Sequence, residues 1–256
     1  MLSMNKLSIL GIMLCLSVLV QAQETQIIAH RGAWKNTKSP QNSIAALRDA
    51  IAQEVWGAEF DVHLTKDDVL VVNHDNDFQG IDIATSTYQE LLAKQHPNGE
   101  QIATAEAYLQ EGIKQSNTKM IFELKTNRLG LDRTLKSVEI AFDLVKKLRA
   151  ESLTEFIAFS YDACLHFRAL DKNIPIHYLN GDKSPQQIKD ANLTGIDYHL
   201  SVFKKNTDWI TAAKNLGLKT NVWTVNKEED MNYFIDSGID YITTDEPEHL
   251  HTLIKK

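Results

Sequence analysis

The sequence predicts an α/β fold, a (β/α)8 TIM barrel with a small insertion after strand two. Short β-rich runs alternate with segments whose apolar residues recur every three or four positions, a pattern that favours parallel strands joined by helices. The chain has 256 residues, close to the roughly 250 that one such barrel takes. No glycine-rich phosphate loop follows the first strand, which disfavours the main alternative, an open doubly wound sheet.

The first residues have the composition of a targeting segment. Lys6 precedes an apolar run over residues 7–20, and the small-residue sequence VQA ends at Ala22. This order is typical of a cleaved secretory signal, and the run is shorter than the roughly 20 residues of a membrane span. We therefore predict a signal peptide over 1–22, a mature domain over 23–256, and export to the periplasm or the extracellular space.

Two alternatives for this segment are a retained membrane anchor and a lipidated Cys15. The residues before Cys15 are not the small ones expected at a lipidation site. Cleavage after Ala22 would leave Cys164 as the last of the two cysteines, so the mature chain would form no internal disulfide. A core of this size does not require one.

Composition excludes some classes of partner. The chain is 43% hydrophobic and 24% charged, as in ordinary soluble globular proteins. Its net charge is −7, with no basic tract, which argues against nucleic acid and anionic membrane surfaces as partners. We expect no nucleic acid and no stable membrane insertion, and the oligomeric state stays open.

The predicted strands follow one another along the whole mature chain. They are residues 26–30, 57–64, 120–125, 155–160, 174–179, 195–200, 218–225 and 239–244. Residues 69–72 continue beyond strand two as an extended piece. Residues 75–119 do not fit the alternation, because they carry Gly, Asn and Pro punctuation and short helical pieces. We predict that they form the insertion.

Helical segments separate many of the strands. One begins at Ser43, with Ile44 and Leu47 on one face, and a long one runs from about Asp132 to Ala150. Two later helices end in Gly217 and Gly238 just before a strand, and glycine at that place is typical of a helix-to-strand connection.

Polar residues recur where the predicted strands end. Since active groups of such barrels lie at the C-terminal ends of strands, we expect these side chains at one rim. They are His30 and Arg31 after strand one, Glu59, Asp61 and His63 in strand two, Glu123 and Lys125 in strand three, and Asp245 and Glu246 after strand eight. Alternate residues of a strand point to the same face, so Glu59, Asp61 and His63 should converge inward, and Glu123 and Lys125 should share one face.

Glu59, Asp61 and Glu123 form a candidate metal site. Carboxylate oxygens suit Mg²⁺ or Ca²⁺, and one divalent cation would relieve the repulsion between Glu59 and Asp61. The alternative is that the carboxylates form ordinary ion pairs with Arg31 and Lys125. His30 and His74 stand beside this cluster, and imidazoles that titrate near neutrality suit acid and base roles.

Several short motifs in a fixed order resemble those of the glycerophosphodiester phosphodiesterase family. They are HRG (30–32), the E-x-D of residues 59–61, LTKDD (64–68), HD (74–75), FELK (122–125) and VWTVN (222–226). Each motif is weak by itself, but their order and spacing are specific. The resemblance covers nearly the whole mature chain.

The resemblance implies a role for each candidate residue. His30 and His74 would be the general acid and base, and a divalent cation would be held by the three carboxylates already named. Arg31 and Lys125 would contact the phosphate of a small-molecule glycerophosphodiester. Trp223 would line the cleft near the glycerol or alcohol moiety, with plain core packing as its alternative. Phe159 and Tyr161 are further candidates for the cleft lining.

The sequence departs from the family pattern at two places. The PEN turn after strand one, which usually carries glutamate, reads SPQNSI here, with Gln41 in the glutamate position. Glutamine can donate and accept hydrogen bonds but carries no charge, so we expect a turn or substrate-side role and no metal ligation. His63 is an additional residue that would extend the site or pair with Asp67.

Three functions are compatible with these residues. The first is a secreted, metal-dependent phosphodiesterase that converts glycerophosphodiesters to an alcohol and glycerol 3-phosphate by histidine acid–base catalysis. The second is a related phospholipase D-like transphosphatidylase, acting on lysolipids or sphingolipids and giving a cyclic phosphate. The third is a non-catalytic barrel that serves as a binding module, which we would expect to lack a histidine or a metal carboxylate.

Overall fold

The computed structural model describes residues 24–254. The predicted signal peptide and Cys15 lie outside these residues. Among the helices of this range, none combines the length and the apolar character needed to cross a membrane.

Eight parallel strands close into a barrel, so the predicted fold is confirmed. In chain order the strands are β1 (Gln26–Ala29), β2 (Gly57–Leu64), β3 (Leu70–Val72), β4 (Asp77–Phe78), β5 (Ile81–Asp82), β6 (Lys119–Leu124), β7 (Thr154–Ala158), β8 (Ile176–Tyr178), β9 (Gly195–His199), β10 (Lys219–Trp223) and β11 (Tyr241–Thr244). The barrel consists of β1, β2 and β6 to β11, each parallel to the next, and β1 closes it by pairing with both β2 and β11.

Helices lie between the barrel strands. They are α1 (Ile44–Ala52), α2 (Tyr88–Leu91), α3 (Ala105–Gly112), α4 (Leu131–Leu148), α5 (Tyr161–Leu170), α6 (Pro185–Asp190), α7 (Leu200–Lys205), α8 (Trp209–Asn215), α9 (Glu228–Asp236) and α10 (Pro247–Ile254). The predicted helices at Ser43 and at 132–150 correspond to α1 and α4. Ser43 is the N-cap of α1, because its side chain accepts a hydrogen bond from the Ala46 N–H.

The two faces of each barrel strand have different neighbours. Phe60, Val62 and Phe122 belong to the large apolar core that contains helix residues, and residues at the alternate positions point into the barrel. Ile28 and Ile121 belong to a smaller apolar cluster that also includes residues of β7 and β11. The period of two along a strand therefore separates an outer apolar layer from an inner layer that has room for polar groups.

The segment between β2 and β6 contains more than an insertion. β3 runs antiparallel to β2, and β4 and β5 form a separate hairpin. Val71, Phe78, Ile83, Leu91 and Ile102 form a small core under this segment. α3 lies within residues 75–119, which the sequence predicts as the insertion, but it contacts α1, α4 and β6. It is therefore one of the outer helices of the barrel, so the inserted part is shorter than predicted.

The loop between β1 and α1 is built closely around Gly32. This residue has φ +80°, and a Cβ there would lie 2.7 Å from the Ala46 carbonyl carbon. The Gly32 N–H donates to the Glu59 carbonyl at 3.1 Å, and the Ala33 N–H donates to the Ala46 carbonyl at 3.0 Å. Glycine at position 32 therefore lets α1 approach the end of β1, where His30 and Arg31 lie.

Candidate active site

A cavity of about 110 Å³ opens at the C-terminal ends of the barrel strands. It is lined by the eight residues to which the sequence assigns catalytic, phosphate-binding, metal-binding or alcohol-side roles, and by the further candidate Phe159. The eight are His30, Arg31, Glu59, Asp61, His74, Glu123, Lys125 and Trp223. They lie in β2, β6 and β10, directly after β1 and β6, and in the segment after β3. The fold therefore brings together groups that are nearly 200 positions apart in the chain.

Three buried carboxylates form the acidic part of this cavity. One oxygen from each of Glu59, Asp61 and Glu123 lies within 4.8 Å of the others. Glu59 Oε2 accepts a hydrogen bond from the Arg31 N–H at 2.8 Å, whereas Glu59 Oε1 is buried without a hydrogen-bond partner. Asp61 Oδ2 accepts from Asn42 Nδ2 at 2.8 Å.

Crowding of the carboxylates changes their affinity for protons. Burial, together with the charges of Asp61 and Glu123, raises the pKa of Glu59 well above its usual value. Burial and the Asp61 charge raise the pKa of Glu123 to about 7. Burial also acts to raise the pKa of Asp61, but Lys125 and other favourable neighbours outweigh it and lower the pKa. Full ionisation of the cluster therefore requires additional positive charge.

Two basic side chains lie against the carboxylates. Lys125 Nζ is 2.7 Å from Glu123 Oε1 and 3.0 Å from Asp61 Oδ1, and Arg31 Nε is 3.6 Å from Asp61 Oδ2. Burial acts to lower the pKa of Lys125, but Asp61 and Glu123 outweigh it and raise the pKa. The ion pairs considered as an alternative are thus present, but they leave Glu59 Oε1 without a partner.

The two candidate histidines have different surroundings. His30 Nδ1 is 2.7 Å from Asp245 Oδ1, and Asp245 Oδ2 also accepts from Asn226 Nδ2 at 2.7 Å. The sequence places Asp245 at the end of a strand but does not identify it as the partner of His30. A carboxylate at Nδ1 favours the tautomer that carries its proton there and leaves Nε2 available to the cavity.

His74 is more exposed than His30, with 41% of its side chain accessible. Its Nδ1 lies 2.7 Å from Asp75 Oδ1. Burial lowers the pKa of His74, outweighing the opposite effect of Asp61. The neutral imidazole is therefore favoured at neutral pH, as a proton acceptor requires.

His63 contacts the segment that carries His74. Its Nε2 is 3.1 Å from the His74 carbonyl oxygen, and its side chain is buried. The suggested pairing of His63 with Asp67 is wrong, because the Asp67 carboxylate accepts from Thr65 Oγ1 and from the Tyr88 N–H instead.

The remaining cavity wall is largely apolar. Trp223 lies edge-to-face against Phe159, with ring centroids 5.6 Å apart. Ile157 and Leu179 complete this wall. Tyr161 is not among the residues that line the cavity, since its ring packs against Tyr178.

Gln41 lies beside the site rather than among the carboxylates. Its Oε1 accepts a hydrogen bond from Arg31 Nη1 at 2.6 Å. Three polar cavity residues, Asp197, Thr224 and Thr243, were not identified from the sequence. In β9 and β11, Asp197 and Thr243 alternate with apolar residues of the outer core, Ile196, Tyr198 and Ile242. This alternation within each strand is the signal that could have found these two residues.

This geometry agrees with a comparison to known families. The model of the glycerophosphoryl diester phosphodiesterase family matches residues 30–249, which span every site residue described above. The chain belongs to the glycerophosphoryl diester phosphodiesterase family. Membership places it among the phosphoric diester hydrolases.

Two similar proteins carry the name of the same enzyme. A glycerophosphodiester phosphodiesterase of Caldanaerobacter subterraneus is 29% identical over 253 residues, covering 91% of this chain and 99% of the relative. The crystal structure of a glycerophosphodiester phosphodiesterase from Parabacteroides distasonis has a TM-score of 0.89 at 42% identity, covering 91% of this chain and 98% of that chain.

A more distant structure supports the fold. It is a phosphodiesterase from Oleispira antarctica, solved in complex with the product sn-glycerol-3-phosphate. It has a TM-score of 0.78 at 21% identity and covers 91% of this chain and 98% of that chain.

Proposed function

We propose that this protein is a metal-dependent phosphodiesterase that hydrolyses glycerophosphodiesters to an alcohol and glycerol 3-phosphate. One observation carries the proposal: a single cavity holds three buried carboxylates, two basic side chains and two histidines. This combination can bind a divalent cation, neutralise a phosphate and transfer protons. The family relationship supplies the substrate class.

We infer that Glu59, Asp61 and Glu123 hold one divalent cation, Mg²⁺ or Ca²⁺. The fit rests on the all-oxygen donor set, on the spacing of these oxygens within 4.8 Å, and on the buried Glu59 Oε1 that has no hydrogen-bond partner. When bound, such an ion polarises phosphate oxygens and neutralises the charge that develops on them.

Arg31 and Lys125 provide the protein's own positive charge to the phosphate. Lys125 is held between Asp61 and Glu123, and Arg31 between Asp61 and Gln41. Both side chains line the cavity, so their remaining N–H groups can bind phosphate oxygens. Held in place before substrate arrives, they need little rearrangement during the reaction.

His30 and His74 transfer the protons. One histidine, as the neutral imidazole, accepts the proton of the attacking oxygen while that oxygen forms its bond to phosphorus. The other histidine, as the imidazolium, donates a proton to the alcohol oxygen while the bond between that oxygen and phosphorus breaks. The attacking oxygen is that of water or that of a neighbouring substrate hydroxyl. The second route passes through a cyclic phosphate, which water then opens.

Alanine substitution of the histidines tests the acid–base roles. We expect His30→Ala and His74→Ala each to lower turnover of glycerophosphocholine by at least about 10²-fold, the lower end of acid–base contributions. His166→Ala is the matched control, since His166 lies on α5 and contacts Glu139. Near-normal turnover in either test variant would reject that histidine's role.

Product analysis separates hydrolysis from transphosphatidylation. Mass spectrometry of a reaction run to completion should show glycerol 3-phosphate and the free alcohol. A cyclic phosphate that persists after the diester is consumed would favour the transphosphatidylase. Absence of turnover on every glycerophosphodiester, with either metal added after chelation, would favour the binding module.

We also propose that the chain is exported, with cleavage after Ala22. The support comes from the Lys6 charge and the apolar run that follows it. β1 begins at Gln26, so this cleavage would leave the barrel intact. N-terminal sequencing of the protein from an exporting bacterial host should begin at Gln23, and an N-terminus at Met1 would contradict the proposal.

A further inference from the structure

One acidic side chain in the cavity has no part in the function proposed above. Asp197 lies in β9, lines the cavity and is only 1% exposed. Its Oδ1 has no hydrogen-bond partner. A buried carboxyl oxygen without a partner is costly in a folded protein, so this atom requires an explanation.

The polar groups around Asp197 leave Oδ1 without a partner. The Asn221 amide interacts with the Asp197 carboxyl and lowers its pKa, but it gives no hydrogen bond to Oδ1. Asn221 Nδ2 donates to Thr243 Oγ1 at 2.8 Å, and Thr243 Oγ1 donates to Asn221 Oδ1 at 3.2 Å. Trp223 Nε1 donates to the backbone carbonyl of Asp197 at 3.0 Å and not to its side chain. A hydrogen-bond donor for Oδ1 would therefore come from a molecule in the cavity.

Asp197 is not one of the candidate metal ligands. The group of carboxylates whose oxygens lie within 4.8 Å of one another consists of Glu59, Asp61 and Glu123 alone in the described chain. Burial raises the pKa of Asp197 to about 8, against a smaller lowering by the Asn221 amide. In either protonation state, a carboxyl oxygen can accept a hydrogen bond from a neutral hydroxyl.

The cavity wall suggests what carries that hydroxyl. Ile157, Leu179 and Trp223 supply apolar surface, whereas Arg31 and Lys125 supply positive charge. A ligand with a phosphate and a short hydroxylated carbon chain satisfies both parts. The carbon atoms of such a ligand would contact the apolar wall, and one hydroxyl would reach Asp197.

We propose that Asp197 binds a hydroxyl group of the glycerol moiety and makes the site selective for polyol phosphates over simple alkyl phosphates. This inference rests on the proposed function, because the glycerol moiety is the part of that substrate that carries free hydroxyls. A site built to bind a hydroxyl discriminates strongly against an analogue without it, since the buried acceptor is then unsatisfied.

Product binding tests this inference without depending on the reaction route. Calorimetry with Mg²⁺ or Ca²⁺ present would give Kd values for sn-glycerol 3-phosphate and for propyl phosphate, which lacks both hydroxyls. We expect the wild-type protein to bind glycerol 3-phosphate at least about tenfold more tightly, because propyl phosphate leaves the buried acceptor unsatisfied. In Asp197→Ala this preference should fall to about twofold or less.

Two further variants exclude a general structural effect. Asp197→Asn keeps a similar shape and one acceptor oxygen, so it should retain part of the preference for glycerol 3-phosphate over propyl phosphate. This variant replaces Asp197→Ala in the test if the alanine variant does not fold. Asp240→Asn is the matched control: Asp240 is also buried, but its carboxylate bonds to Thr220 and lies outside the cavity lining. It should retain the wild-type ratio of Kd values.

The outcomes separate this inference from the proposed function. An undiminished preference in both Asp197 variants, or no preference in the wild-type protein, would overturn the role of Asp197. Neither result affects the hydrolysis assay, which decides the proposed function by itself. Loss of Mg²⁺ binding in Asp197→Asn, measured with the metal alone, would also overturn the inference, because Asp197 would then serve the cation.

Discussion

The two histidines of the site differ in what holds them. His30 is held through its side chain, by the carboxylate of Asp245. His74 has an exposed neighbour, Asp75, at its ring, while the buried His63 contacts its backbone carbonyl. The placement of the His74 ring therefore depends more on where its main chain lies. The contact with the His74 carbonyl gives His63 of β2 a structural role that the sequence did not suggest.

A variant of His63 tests this contact. Replacing His63 with phenylalanine removes the ring nitrogen near the His74 carbonyl but keeps a ring of similar size. We expect kcat to fall by about 3- to 10-fold, the range of one hydrogen bond, with KM nearly unchanged because His63 does not line the main cavity. His63→Gln, which restores a side-chain donor, should recover most of kcat, and equal losses in both variants would contradict a positioning role.

Gln41 positions Arg31 through one hydrogen bond. We expect Gln41→Ala to weaken glycerol 3-phosphate binding by about 3- to 10-fold, because Arg31 loses a fixed partner. Gln41→Glu should bind within about threefold of the wild-type protein, since a carboxylate accepts the same hydrogen bond. Calorimetry measures both variants, and a stronger loss in Gln41→Glu than in Gln41→Ala would contradict this interpretation.

At the scale of elements, the loop from β1 to α1 determines where His30 and Arg31 lie. The loop closes only because Gly32 has no side chain where Ala46 of α1 approaches. The same loop bonds to the end of β2 through the Glu59 carbonyl. The histidine, the arginine and the carboxylates therefore depend on one close contact between a strand end and a helix.

Gly32→Ala tests this dependence. Alanine at a positive φ costs about 1–2 kcal/mol of stability, and the clash with Ala46 adds to it. Gly217→Ala is the matched control, because Gly217 has φ +73° with no atom within 4 Å of an added Cβ. We expect both variants to lower Tm and only Gly32→Ala to lose most activity; equal activities would show that the loop tolerates displacement.

At the scale of the molecule, the barrel gathers like charges that the unfolded chain keeps apart. Glu59, Asp61 and Glu123 converge in the folded state, and their repulsion opposes folding in the absence of sufficient positive charge. A cation that binds only the folded state would stabilise the whole domain. This coupling links metal binding to global stability.

Thermal unfolding tests this coupling. At a free metal concentration about 100 times Kd, binding should stabilise the fold by about 2.7 kcal/mol, which raises Tm by several degrees in a domain of this size. A chelator should reverse the shift. Glu59→Gln should lose most of it, and a Tm that does not change with Mg²⁺, Ca²⁺ or chelator would contradict the metal site.

Sequence patterns were sufficient to predict the barrel, the order of its strands and eight of the fourteen residues that line the cavity. Period-two and helical patterns are local, so they show which residues share a face, and the motif order supplied the rest. The sequence did not predict Asp245 beside His30, the His63 contact with His74, or Asp197. These contacts became visible in the folded molecule, because each depends on the position of a side chain along the barrel axis and on its direction, and no local pattern encodes them.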